Sequence, residues 1–150
     1  MPHLAVVGQI WQDDCYYLDD QTGQCMRKFV LILAVNAQTG DSVTVVFTSK
    51  SNCLPETPTC YIGNPRSGYY LGVLGGLLNK PTWVDFNRLE TLDCDDLKRH
   101  VQSGRKALIN QTLNSNQLCK VLRCIMQIQA DISKRDYRLL GDTIAQLNCT

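Results

Sequence analysis

Arg27, Lys28, Ser49 and Lys50 stand at the heads and ends of predicted strands, where their side chains could meet a phosphate. Arginine offers a planar fork that donates bidentately to phosphate and keeps its charge. Lysine supplies a compact point charge, and serine one hydroxyl. Tyr16, Tyr17, Tyr61, Tyr69 and Tyr70 fall in or beside predicted loops, where aromatic faces could stack on unpaired bases. Tyr69 and Tyr70 are neighbours on one strand and must point to opposite faces, so only one can stack. Taken singly, each polar residue also suits a solvated strand end, and Thr48 alone shows no more than β-propensity. Trp11 and Trp83 are assigned to the core or its rim.

The eight cysteines raise a second chemical question. Zinc ligands usually come in close pairs, whereas the tightest pair here, Cys119 and Cys124, has no matching second pair. Met1–Gly8 lacks the positive start and long apolar stretch of a secretory signal, so a cytoplasmic location with reduced, structural thiols is expected. Neither a metal nor another cofactor is expected. Phe29–Val35, the longest apolar run, is too short to cross a bilayer.

These side chains must be positioned by strands. Leu4–Trp11, Lys28–Asn36, Ser42–Thr48, Tyr69–Leu74 and Thr82–Phe86 have strand length and composition. The Ala37–Asp41 link, containing Gly40, predicts an antiparallel hairpin between the second and third. Asp13–Met26 and the Pro/Gly-punctuated Ser49–Gly68 read as loops, the latter with room for a short strand at Thr59–Ile62. Asp93 starts a short helix ending near Gly104, and Arg105–Leu113 suits a further strand. Ser115 is expected to cap a helix with Leu118, Val121, Leu122, Ile125 and Ile128 on one stripe, and Ser133 to cap a last one. No repeat or linker divides the chain, so residues 1–150 form one expected domain, mainly β, with C-terminal helices from about 115 (α+β).

Gly8-Gln9-Ile10-Trp11, the polar loop ending in Arg27, the strand Phe29–Leu33 and the segment Val45–Ser49 together resemble the opening of PemK/MazF toxins. Phe86–Asp93 looks like the later strand and turn of that family, and Asn114–Ile128 like its C-terminal helix. The resemblance implies an SH3-like small β-barrel of the CcdB/MazF type with an appended helical layer. It implies a metal-independent endoribonuclease that cuts single-stranded RNA, leaving a 2′,3′-cyclic phosphate and a 5′-hydroxyl. Arg27 and Thr48 then become the catalytic pair, with Lys28, Ser49, Lys50, Tyr16 and Tyr17 binding RNA. The implied partners are a cognate antitoxin protein and a second copy of the chain in a homodimer. Lys28 stands where the family usually has proline, Asp85 and Asn87 have no secure counterpart, and neither His3 nor His100 matches a family position. A silent barrel that binds nucleic acid or a partner protein is the alternative.

Charge leaves both readings open. Net charge is +1, with five Lys/Arg against seven Asp/Glu in residues 1–87 and ten against seven in 88–150. A dedicated nucleic-acid binder usually carries a strongly basic domain.

Overall fold

The computed structural model describes residues 3–149. Among them, seven strands form one antiparallel sheet, accompanied by three α-helices, so the α+β class holds. The strands are β1 (Gln9–Leu18), β2 (Cys25–Val35), β3 (Ser42–Thr48), β4 (Cys60–Tyr61), β5 (Gly68–Gly72), β6 (Thr82–Leu92) and β7 (Lys106–Thr112). Their order across the sheet is β4-β5-β6-β3-β2-β1-β7. The helices are α1 (Cys94–Gln102), α2 (Ser115–Ile125) and α3 (Lys134–Gln146), with a 3-10 segment at Met126–Asp131 between the last two.

β2 and β3 lie centrally because their apolar runs can be covered on both faces. Val30–Ala34 and the whole of Ser42–Thr48 are buried. One face, including Leu31, Leu33, Val43, Val45 and Phe47, packs against Leu118, Val121, Leu122 and Ile125 of α2 and Leu140 of α3. The other face places Trp11, Val30, Ile32 and Val46 against Leu97 of α1. Each fully buried aliphatic side chain contributes roughly 1.5–3 kcal/mol. Leu118, Val121, Leu122 and Ile125 of the expected stripe are thus buried in the chain's own core, while Ile128 falls in the 3-10 segment and is only partly buried.

The expected closed barrel is not formed: the sheet is open, and among the described residues no ladder joins its end strands β4 and β7. β4 is only two residues long, and α2 packs over the β4–β5 end, where Cys124 is bonded to Cys60. A second correction concerns Asp13–Met26, which is largely strand. β1 runs to Leu18 and β2 begins at Cys25, leaving a short turn closed by Asp19 and Gln24. The capping reading holds at Asp93 and Ser133, while Asn114 rather than Ser115 caps α2 by accepting from the Gln117 N–H at 2.8 Å.

The expected reduced thiols are also overturned. Three disulfides, Cys15–Cys25, Cys60–Cys124 and Cys119–Cys149, join six of the cysteines, leaving Cys53 and Cys94 free. Cys15–Cys25 staples the β1–β2 hairpin, Cys60–Cys124 ties α2 to the sheet end, and Cys119–Cys149 ties the chain end to α2. By the chain-entropy estimate, a crosslink spanning 64 positions stabilises by about 4 kcal/mol. Thiol titration of the denatured, unreduced protein should therefore find two reactive groups, rising to eight after reduction. Reduction should lower the melting temperature by many degrees while EDTA leaves it unchanged. Eight titratable thiols before reduction, or a melt indifferent to reductant, would contradict the pairing.

Candidate functional site

Antiparallel pairing sets Phe29 opposite Phe47, so the start of β2 lies against the end of β3. Arg27, Lys28, Thr48 and Ser49 consequently line both of two adjoining clefts, of about 320 and 300 Å³. Phe29 and Phe47 contribute apolar surface to the first cleft, and Leu77–Lys80 forms its far wall. That loop is held by Gln111 of β7, whose side-chain oxygen accepts from the Leu77 N–H at 3.0 Å and whose side-chain nitrogen donates to the Gly75 carbonyl at 2.9 Å. Gly76, at φ +58°, permits the close approach, since a Cβ there would lie 2.8 Å from Gln111 Oε1.

The second cleft is cationic. Lys50, Arg66 and Arg88 join Arg27 and Lys28 in its lining, with Tyr17 at one side. Arg66 Nη1 donates to Oδ2 of buried Asp85 at 3.0 Å, and Asp85 Oδ1 accepts from the Asn87 N–H at 3.0 Å. The Arg88 guanidinium carbon lies 5.6 Å from the Tyr17 ring centroid and 6.0 Å from that of Tyr16, within cation–π range. Lys28 is half-buried. Burial first, then Arg88, holds its pKa below the ordinary lysine value; Asp85 opposes this and Lys50 adds to it.

Six of the seven expected site residues therefore share this end of the sheet. Arg27 is exposed and paired with Asp14, Nε to Oδ1 at 3.3 Å. Thr48 is buried, and its hydroxyl is engaged with Lys50, donating to the carbonyl at 3.1 Å and accepting from the N–H at 3.2 Å. It shapes the turn that presents Ser49 and Lys50. Tyr16 lines neither cleft: it packs against the Trp11 and Leu97 cluster, with Arg88 over its ring. Its buried hydroxyl has no hydrogen bond of good geometry among the described residues, and burial followed by nearby Glu90 pushes its pKa well above the tyrosine norm. Tyr69 enters the core while Tyr70 stacks on Trp83 with ring centroids 4.9 Å apart. Among the described residues, no cluster of three or more His, Cys, Asp or Glu is placed to hold a metal ion.

Arg66, Arg88 and Gln111 were not among the expected site residues. For Arg88 a signal existed, since it sits in the segment Phe86–Asp93 that resembles the family's later strand. A further cluster was also missed. Asp13, 0 % exposed, accepts from Arg105 Nε at 2.9 Å and Nη2 at 3.2 Å, and lies 3.7 Å from the buried Lys106 ammonium. His100 Nε2 lies 3.2 Å from Arg105 Nη1. Burial, reinforced by Lys106 and Arg105, lowers the pKa of His100 and favours the neutral ring that can accept there. This group ties the start of β7 and the end of α1 to β1.

Burial alone would raise the Asp13 pKa, but bonds from Arg105 and the Cys15 N–H, with the charge of Lys106, outweigh it and lower the value below 3.8. The folded pKa is thus below the unfolded one. Asp13 then contributes stability that is fully present above the unfolded value and lost as pH falls through the folded one. Melting temperature should decline in this acid range, and Asp13→Asn should remove that part of the decline. The substitution should also cost about 3–5 kcal/mol at neutral pH by leaving Lys106 buried beside an uncharged partner. An Asp13→Asn protein as stable as the parent would contradict this role.

Compared with family models, curated proteins and solved structures, the chain matches none of them.

Proposed function

We propose that this chain binds single-stranded RNA across the paired clefts and cleaves it without a metal as the toxin of a toxin–antitoxin pair. The observation that carries this reading is the convergence of Arg27, Lys28, Thr48 and Ser49 on two adjoining clefts, the first adding the apolar side chains of Phe29, Phe47, Leu77 and Leu78 and the second the cations Lys50, Arg66 and Arg88. A splayed strand needs both kinds of surface, cations along its phosphates and flat apolar faces for its bases. In the cleavage step the 2′-hydroxyl attacks the adjacent phosphorus and the 5′-oxygen leaves. Arg27 stabilises the charge that develops on the phosphoryl oxygens, exchanging its exposed Asp14 partner for the substrate. Thr48 acts by holding the Ser49–Lys50 turn, and Arg88 and Lys50 bind the phosphate next along. An antitoxin with an acidic or apolar tail would inhibit by filling the same clefts. A homodimer contact would use apolar surface that the core leaves exposed, such as Leu108 on the edge strand β7.

One observation favours binding without cleavage: the Thr48 hydroxyl is engaged with its own turn and Arg27 is paired with Asp14. Another bears on location. Among the described residues no helix is long and apolar enough to cross a membrane. Three disulfides favour an oxidising environment over a reducing cytoplasm. Alkylation of the thiols in intact cells before lysis tests that choice.

Incubating the purified protein in EDTA with a single-stranded RNA and mapping new 5′-hydroxyl ends tests the activity. Arg27→Ala is expected to reduce turnover by roughly 10²-fold or more with a smaller loss of affinity, and Arg27→Lys to restore little of it. Binding with no cutting by the parent protein would establish the silent alternative. Arg88→Ala should weaken binding similarly across sequences and reduce the salt slope by about 1, as removal of one phosphate contact does. An unchanged slope would remove Arg88 from the interface.

A further inference from the structure

Arg27 and Lys28 are consecutive on β2, so their side chains leave opposite faces of the sheet, yet both line both clefts. They straddle the sheet's end. A phosphodiester lying across that end would meet Arg27 from one side and Lys28 from the other. In-line displacement has this geometry, with the attacking and leaving oxygens on opposite sides of phosphorus. Lys28 combines two features that no other cation of the second cleft combines. It is half-buried, and among the described residues no carboxylate lies within ion-pair distance of its ammonium, whereas Arg27 and Arg66 are each paired with an aspartate and Lys50 and Arg88 are exposed. From this placement we infer that Lys28 is a catalytic residue, the general acid that protonates the departing 5′-oxygen. The assignment rests on the ribonuclease reading given above.

In this step water takes the proton of the 2′-hydroxyl as the O2′–P bond forms. The P–O5′ bond breaks and leaves its electron pair on O5′. An N–H bond of the Lys28 ammonium breaks, its proton passes to O5′, and the neutral amine then regains a proton from water. An ordinary lysine holds its proton too tightly to be an effective donor near neutral pH. The surroundings weaken that hold: burial and the charges of Arg88 and Lys50 favour the neutral amine, and Asp85 opposes them. The other charged or titratable groups around Lys28 are Asp13, its ladder partner on β1, with Asp14 and Tyr17 on the same strand, Arg66 ahead of β5, Lys80 ahead of β6 across the first cleft, and Arg27 on its own strand. Asp13 is occupied by Arg105 and Lys106.

The test pairs an ordinary RNA oligonucleotide with one whose scissile 5′-oxygen is replaced by bridging sulfur, a leaving group that needs no proton. Lys28→Gln and Lys28→Arg are expected to slow cleavage of the ordinary substrate by roughly 10²-fold or more while leaving the sulfur substrate near the parent rate. Arg27→Ala should slow both. For the parent, the ordinary rate should fall as pH rises through the Lys28 pKa, and the sulfur substrate should lack that limb. Binding of a 2′-deoxy oligonucleotide and circular dichroism establish that the variants fold and bind. Equal losses on both substrates in Lys28→Arg, or full activity of either variant on the ordinary substrate, would overturn the assignment. A parent protein that cuts neither substrate would instead overturn the ribonuclease reading, and with it this step.

Discussion

The fold and the candidate site both depend on the antiparallel register of β1, β2 and β3. Ile10 opposite Leu31 and Leu31 opposite Val45 align three apolar runs so that each face finds its cover, helices α2 and α3 on one side and α1 on the other. A slip of one residue would turn Val30 and Ile32 toward α2 and α3 and carry Arg27 and Lys28 to the wrong faces. The same alternation that builds the core therefore sets the polarity of the clefts. The paired phenylalanines Phe29 and Phe47 belong both to the last core layer and to the lining of the first cleft, and the polar part of the site begins one residue further along each strand.

Electrostatics at this end is arranged around two buried carboxylates. Asp13 gathers Arg105 and Lys106, and Asp85 holds Arg66, in each case with a backbone N–H completing the carboxylate's bonds. Buried charges in this state are costly to leave unmatched and stiffen what they join. Asp85 anchors part of the cationic cleft, while Asp13 fastens β7, and through it Gln111, to the sheet. A chain with a net charge of only +1 thus still presents Arg27, Lys28, Lys50, Arg66 and Arg88 on one cleft. Bulk charge says little about that concentration, because the acidic residues are placed elsewhere or spent on pairs.

Much of the local structure was legible in the sequence because short-range rules govern it. The hairpin at Gly40, the strand Ser42–Thr48, the caps at Asp93 and Ser133 and the strand from residue 105 follow from turn, periodicity and capping chemistry. Long-range pairing was not legible. Cys60 and Cys124 meet only because α2 packs over the end of the sheet, and sequence spacing carries no trace of that. The barrel expectation failed for a related reason: closure depends on how end strands meet, and the two-residue β4 pairs with β5 but, among the described residues, forms no ladder with β7. Arg27, Lys28, Thr48 and Ser49 could be singled out because strand ends in a paired hairpin lie together. Arg66 and Gln111 could not, since a loop between prolines and an edge strand bring them in.

The proposed binding surface for single-stranded RNA is one end of the sheet. Amide and arginine side-chain NMR shifts during titration with a short, uncleavable 2′-deoxy-substituted RNA strand test it most directly. The expected result is saturable perturbation confined to Arg27–Phe29, Thr48–Lys50, Arg66, Arg88 and the Leu77–Lys80 loop, weakening as salt is added. Shifts that map to another face, or no saturable shift at low salt, would contradict it.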